Sequence, residues 1–326
     1  MSHPLISVAM CTYNGARYVR EQLESIARQT AAPDEVVICD DASTDRTAQI
    51  VETFLAHSAM RVRLIRNTGT RGCTGNFQRA IRLCRGDIIL LADQDDIWKP
   101  EKVARIAETF ASNPGAGYVF SDADIVNEQG EHLGISLWQT LGFEAPYFIA
   151  CRQLEVLLKR NLVTGAAMAF RSSLCSVLLP IPAAWSHDYW IALLGSIFGY
   201  GVPISERLLW YRRHFGQQLG CGHDTFAAKV RTSLAAEPDY YAKAARIAEL
   251  RQRAEACAWR VSCPPRHLRL LKEKQLHLSR RALIRSAHGG DRIARLVSEA
   301  TSGRYQRFSF SWGSVIRDLT AVVSSR

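Results

Sequence analysis

No run of 18 apolar residues occurs in this 326-residue chain; the longest candidate, Tyr189 to Ile204, is interrupted by Gly195, Gly199, Gly201 and Pro203. That pattern excludes a spanning helix. The opening MSHPLISVAMCTYN has no charged region before its apolar stretch and no small-residue cleavage site after it, so a secretory signal is not expected. The nine cysteines form no C-x-x-C pair and are scattered through apolar stretches, the usage of a reduced, cytosolic protein. Glycine (21) and proline (11) are too few for a collagenous or low-complexity chain, and 47% hydrophobic with 22% charged residues excludes disorder. Several chemical signatures are also missing. No G-x-G-x-x-G follows the first apolar run, no G-x-x-x-x-G-K-[ST] is present, and no G-x-S-x-G occurs. Dinucleotide oxidoreductases, P-loop NTPases and serine hydrolases thereby lose their main support.

What is present begins with an uneven charge. Residues 1–211 carry 19 Lys and Arg against 22 Asp and Glu, whereas residues 212–326 carry 22 against 9, a net of +13. The basicity belongs to the C-terminal third.

The first 126 residues alternate between two hydrophobic periods. Apolar runs at 5–14, 35–43, 61–67, 87–96 and 116–126 read as strands, and the stretches 16–30, 45–58, 75–84 and 99–112 carry helical spacing, with Asp45 placed as a helix cap. Such alternation predicts a mostly parallel, Rossmann-like sheet sandwiched by helices, with ligands beyond the carboxyl ends of the strands. Those ends read Thr12-Tyr13-Asn14, Asp40-Asp41, Asp93-Gln94-Asp95-Asp96 and Ser121-Asp122. Further on, 161–170 and 206–214 are strand-like, 186–199 is helix-like, and the Ala-, Leu- and Arg-rich stretches from Phe226 and from Arg266 read as helices separated by Cys263-Pro264-Pro265.

Acids crowded at a strand end repel one another and need solvent or a cation, the hard oxygen-seeking kind being Mg²⁺ or Mn²⁺ beside phosphate oxygens. Asp93, Asp95 and Asp96 satisfy that description, although Asp95 or Asp96 would serve equally as a cap for the helix near Lys99. Asp40 and Asp41 suit hydrogen bonding to a ribose or a base N–H, or else form a helix-entry loop. Asp188, at the start of an apolar helical run, is placed as a general base toward a hydroxyl or as a helix cap. Tyr211-Arg212-Arg213-His214 offers phosphate donors and an imidazole ligand.

Taken in order, VAMCTYNG (8–15), VICDDASTD (37–45), GNF (75–77), DQDDIW (93–98), Thr164-Gly165, HDYW (187–190) and YRRH (211–214) resemble an inverting family 2 glycosyltransferase, over about residues 5–216. Within that family they are similar to bacterial rhamnosyltransferase-like members of polysaccharide and O-antigen assembly. The resemblance implies a GT-A fold over residues 1–216, with a donor half to about 125 and an acceptor half from about 126, followed by a basic helical region, 217–326. It implies that Thr12, Tyr13, Asn14, Asp40, Asp41, Asn76 and Asp93 hold a nucleoside-diphosphate sugar, with Arg212 or Arg213 toward the diphosphate. Asp93, Asp95 and His214 would hold the metal. Thr164, Gly165, His187 and Trp190 would lie on the acceptor side, and Asp188 would be the base. Deoxythymidine-diphosphate-rhamnose is the first donor expected, uridine-diphosphate hexoses the next; the acceptor would be a glycan or a lipid-linked sugar. The Gln-x-x-Arg-Trp motif of processive members is missing, so one or a few sugars would be added. The rival from another class is a non-catalytic sugar-nucleotide-binding or scaffold protein of the same fold; a nucleotidyltransferase would need a Gly-rich basic loop where Thr12-Tyr13-Asn14-Gly15 stands.

The basic third interleaves cations with aromatics, notably over Arg304 to Trp312. A peripheral attachment at the inner face of the cytoplasmic membrane is the favoured expectation, ahead of a plain helical cap and of nucleic acid.

Overall fold

A computed structural model of the chain describes residues 4–214 and 239–323. These fall into two compact units, one of residues 4–150 and 162–214, the other of 151–161 and 239–323. The boundary expected near 216 lies outside the described residues, as does the first part, 226–238, of the helix expected from Phe226.

The first unit is a mixed α/β fold. It runs β1 (Ile6–Thr12), α1 (Val19–Ala27), β2 (Glu35–Asp40), α2 (Thr47–Leu55), β3 (Val62–Arg66), α3 (Gly72–Leu83), β4 (Ile88–Ala92), β5 (Ile97–Trp98), α4 (Lys102–Ser112), β6 (Ala116–Val126), β7 (His132–Ser136), β8 (Met168–Arg171), α5 (His187–Phe198) and β9 (Tyr200–Arg212). The strands lie in the order β3-β2-β1-β4-β8-β6-β9-β5, with β7 on β6. β1 to β4 are mutually parallel, as are β6 and β9, while β8 runs antiparallel between β4 and β6. Every residue of β1, β2 and β4 is buried, which is why these strands read as unbroken apolar runs: helices cover both faces.

Local chemistry sets the joints. β1 pairs with β2 at Thr12↔Asp40, so the two strands end level with each other, and with β4 at Met10↔Ala92. The chain order reverses between β1 and β4, and that is where a crevice opens in such sheets. Asp45 does not cap α2: the N-cap is Arg46, and Asp45 accepts from the backbone of Thr47 (2.9 Å) and of Ala16 (3.1 Å), tying the two strand-end loops together. The strand expected over 161–170 is confined to β8, because Gly165–Ala167 turn as a single 3-10 helix. Deep in the unit the Tyr118 ring is held against α5, where a Cβ on Gly195 would stand 2.6 Å from it, and the Tyr118 hydroxyl meets Ser196 Oγ at 2.9 Å.

The second unit is helical: α6 (Tyr240–Cys257), α7 (Pro265–Ser286), α8 (Gly289–Thr301), α9 (Arg304–Phe308) and α10 (Ser311–Val323), with the short helix Gln153–Leu157. Asp239 caps α6 through the Ala242 N–H (2.9 Å), and Pro265 opens α7, where a backbone N–H would have no partner within the helix to lose. Ile284, Leu296 and Tyr305 form one core cluster with Ala300 and Val315, and Leu250, Leu271 and Phe308 are buried as well. The interleaved segment Arg304 to Trp312 is thus divided: Tyr305 and Phe308 are core, while Phe310 and Trp312 are exposed. Among the described residues no helix is long and apolar enough to cross a membrane.

Candidate functional site

At the carboxyl ends of β1, β2 and β4 lies a cavity of about 640 Å³, lined among others by Thr12, Tyr13, Asn14, Asp41, Asn76, Asp93, Asp95, Thr164, Gly165, His187, Asp188 and His214. The cavity thus gathers residues more than 200 positions apart.

Its floor is fixed by hydrogen bonds between strand ends. Gln94 clasps the loop after β1, accepting from the Tyr13 N–H at 2.7 Å and donating to the Tyr13 carbonyl at 2.9 Å. This clasp needs Gly15, since a Cβ there would lie 2.1 Å from Gln94 Oε1. Asn14, in the left-handed region at φ 47°, accepts the Thr44 N–H at 2.9 Å and so joins the β1 loop to the β2 loop. Asp41 Oδ1 accepts from Asn67 Nδ2 (2.8 Å) and the Arg71 N–H (2.7 Å), and Oδ2 accepts from the Gly72 N–H (2.9 Å). A carboxylate has about four acceptor positions, so one remains on Oδ2.

The acids are crowded. Burial, with Asp95 and Asp188 facing it, pushes Asp93 up to about 7, against the pull of Lys102. Asp96 is raised well above the ordinary carboxylate range by burial and by Asp95 and Asp93; its Oδ1 accepts the Arg212 N–H at 3.1 Å. Asp95 Oδ2 meets His214 Nε2 at 2.7 Å, and the His214 ring lies on Tyr18 with centroids 4.9 Å apart. Among the described residues no three His, Cys, Asp or Glu side chains converge as a ready metal cluster.

Asp188 sits in the first turn of α5, where the helix dipole favours an anion. Beside it His187 is buried, its ring stacked on Phe77 (centroids 3.9 Å) and its Nδ1 3.9 Å from Cys73 Sγ, and burial holds its pKa below the ordinary value. His187 Nε2 has no hydrogen-bond partner and faces Gly165, where a Cβ would stand 2.8 Å away.

Four expected site residues lie outside this lining. Asp40 is turned into the protein, accepting from Thr12 Oγ1 (2.8 Å) and Ser43 N (2.9 Å). Arg212 is 2% exposed; its guanidinium donates to the carbonyls of Asp95 and Glu128, pairs with Glu21 and stacks over Tyr18, so it is spent on structure. Arg213 is off the lining, its N–H given to the Val126 carbonyl at 2.8 Å. Trp190 is fully buried and donates Nε1 to the Leu178 carbonyl at 2.8 Å, a core residue with no face toward the cavity.

Sequence reading passed over others that do belong. Arg17, Tyr18, Phe77, Glu128 and Tyr211 line the cavity, and Arg17 meets Glu128 across 2.9 Å. Lys102 is buried behind the acids: its Nζ donates to the Ala166 carbonyl at 2.6 Å and lies 4.2 Å from the Trp98 ring centroid, and burial lowers its pKa to about 7 against the pull of Asp96 and Asp93. The signal was legible, since Lys102 occupies the buried stripe of α4 with Ile106 and Phe110 at i+4 and i+8.

Residues 7–176 match the sequence profile described as Glycosyl transferase family 2. An uncharacterized glycosyltransferase of Nostoc sp. is 28% identical over 212 residues, 64% of this chain and 65% of that protein, so the chain spans just under two thirds of that relative's length. Among solved structures, S. aureus TarS in complex with UDP-GlcNAc is similar with a TM-score of 0.61 at 16% identity, covering 99% of this chain and 91% of that one. The mannosyltransferase PcManGT from Pyrobaculum calidifontis in complex with GDP-Man and Mn²⁺ gives a TM-score of 0.53 at 20% identity, covering 99% and 87%. At these identities the likeness concerns the fold.

Proposed function

The chain belongs to glycosyl transferase family 2, and from that premise we propose that it moves one sugar, with inversion, from a nucleoside-diphosphate donor to a hydroxyl of a glycan or lipid-linked acceptor, in a metal-dependent and non-processive reaction. The observation that carries this reading is the convergence of Asp41, Asp93, Asp95, Asp188 and His214 on one cavity at the strand ends.

The chemistry of the donor set fits a divalent cation, although the three groups do not stand together as a ready cluster: Asp93 and Asp95 line the same cavity as the His214 imidazole, and the repulsion between the two acids is what a cation relieves. Asp93, Asp95 and His214 would hold it. When bound, Mg²⁺ or Mn²⁺ supplies positive charge to the departing diphosphate. The rest falls to side chains. Asp41 offers its remaining acceptor to a base N–H or a ribose hydroxyl, and Tyr13 and Asn14 hold the nucleotide from the β1 loop. With Arg212 committed elsewhere, Arg17 is the cavity's lysine or arginine among the described residues. Asp188, unencumbered by any cation pair in the described structure, takes the proton of the acceptor hydroxyl as that oxygen attacks the anomeric carbon from the face opposite the leaving group. One carboxylate suffices for this displacement, unlike the pair of a glycosidase. Thr164, Gly165 and His187 border the acceptor side.

Rhamnose from its deoxythymidine diphosphate is the first donor to try, uridine-diphosphate hexoses the next, and surface-polysaccharide or O-antigen assembly at the inner face of the cytoplasmic membrane is the setting the resemblance favours. The test is a panel of nucleotide sugars with purified protein and Mn²⁺ or Mg²⁺, reading released nucleoside diphosphate and, by NMR, the anomeric configuration of the product. Turnover of one donor with inversion supports the reading. Binding without turnover for every donor and acceptor offered would favour a scaffold role instead.

A further inference from the structure

The helical unit carries an outward face that its own core does not use. On α10, Ser314 and Asp318 are buried, whereas Trp312, Ile316 and Leu319 are 65%, 57% and 46% exposed, and Phe310 just before the helix is 59% exposed. Spacings of four and three residues set the last three helix residues in one stripe, directed away from the buried side. Exposed aromatic and aliphatic side chains gathered on one helix face mark an interaction surface.

Charge identifies the partner. Residues 239–323 hold 17 Lys and Arg against 7 Asp and Glu, a net of +10. Part of that excess lies at the flank of α10 itself. Around the buried Tyr240 ring stand the buried Arg281 at 4.3 Å, Lys243 at 5.6 Å and Arg285 at 5.6 Å, and Lys243 also feels Arg317 and Arg246 against Asp239. Arg317 belongs to α10. Arg281 is buried and neutralised by Asp318, and Asp239 acts on Lys243, so the cations that reach solvent here are Lys243 and, in part, Arg246, Arg285 and Arg317. A helix lying in a bilayer interface combines these two features, an apolar stripe with Trp and a cationic flank that faces anionic headgroups.

We propose that the stripe Phe310, Trp312, Ile316 and Leu319, with the solvent-reaching cations Lys243, Arg246, Arg285 and Arg317, is a docking surface for an anionic phospholipid bilayer. It gives the membrane attachment proposed above a definite location and does not depend on the sugar-transfer chemistry. α10 lies in the plane of the interface with Trp312 at headgroup level, and the protein is held by two weak signals together, apolar insertion and charge, so attachment is reversible.

The experiment is co-sedimentation of the full chain with vesicles of phosphatidylcholine alone or with about 30 mol% phosphatidylglycerol, at low and raised salt, for wild type, Ile316→Glu and Trp312→Ala. About tenfold more protein should sediment with the anionic vesicles, raised salt should reduce it, Ile316→Glu should abolish about nine tenths of it, and Trp312→Ala should lower it several-fold. Both positions are exposed, so melting temperatures should match wild type; should Ile316→Glu misfold, Trp312→Ala carries the test. Wild type that stays in the supernatant with anionic vesicles removes membrane attachment altogether. Sedimentation unchanged by both variants leaves attachment standing and overturns its assignment to α10. A dimer in light scattering that Ile316→Glu splits shows that a second copy covers the face, and overturns it as well.

Discussion

In the helical unit Asp318 lies among Arg281, Tyr305 and Tyr240, and Glu299 among His277, Arg280 and Arg304, so each buried carboxylate meets donors in place of water. In the sheet unit Asp93, Asp95 and Asp188 face a common cavity and one another. Paired charges of the first kind specify packing; like charges held together at a cavity are a cost that folding alone gives no reason to keep. The helical unit even contains a Ser309–His277–Glu299 relay, with contacts of 2.8 and 2.7 Å, the arrangement of a nucleophile, base and orienting acid. It has no access: His277 and Glu299 are 0% exposed, and Arg281 Nη1 donates to Ser309 Oγ at 2.9 Å. What separates a site from a strut in this molecule is whether the groups are left open to a ligand.

The contrast can be broken most sharply at Asp188. Asp188→Asn should lower kcat for sugar transfer by about 10²- to 10⁴-fold, the range of a general base, with the affinity for nucleoside diphosphate within about twofold of wild type because no donor contact is proposed for it. Calorimetry alongside steady-state rates measures both. A parallel loss of affinity would make Asp188 part of the donor site.

How much of this was legible follows from the range of the interactions. The ends of β1, β2 and β4 announce themselves, because an apolar run that stops abruptly in acids is a local signal, and Asp41, Asp93 and Asp95 were found that way. Asp188 and His214 depended on ordered motifs. Arg212 and Trp190 were misplaced because their partners are remote: Arg212 pairs with Glu21, 191 residues earlier, and Trp190 with the carbonyl of Leu178, contacts that no local pattern encodes. Asp40 and Asp41 are adjacent and of one type, yet at the end of β2 one turns inward to Thr12 and the other to the cavity, a consequence of strand alternation combined with register.

In the helical unit, Asp318→Ala leaves Arg281 without its buried partner, and a loss of about 3–5 kcal/mol is expected, read as a lower midpoint in urea. Nucleotide binding measured well below that midpoint should be unchanged. Next comes acid. Glu299 is held at about 2, below its ordinary 4.5, against the opposing effect of burial, by its hydrogen bonds from Arg304 and His277. A lowered carboxyl contributes stability that is complete above pH ~4.5 and fades as the pH falls toward 2, a contribution of about 3 kcal/mol. His277, held low by burial, works in the same direction, since its protonation on unfolding favours the unfolded chain as the pH falls. Unfolding followed across that range should show the loss in wild type and a flatter profile in Glu299→Gln.

The smallest effect has the opposite sign and belongs to the cavity. Asp93→Asn removes one member of the crowded acids, and the metal-free protein should gain about 1–2 kcal/mol. A destabilised Asp93→Asn would place Asp93 among the struts.

The most direct test of the cavity as a metal-dependent donor site is titration calorimetry of UDP, dTDP and GDP into the wild-type protein and into Asp93→Asn and Asp95→Asn, with Mn²⁺ and then with excess chelator. The expected result is binding of one nucleoside diphosphate to wild type with Mn²⁺, at least about tenfold weaker with chelator and in either variant. Binding of equal strength with chelator, or in both variants, would contradict it.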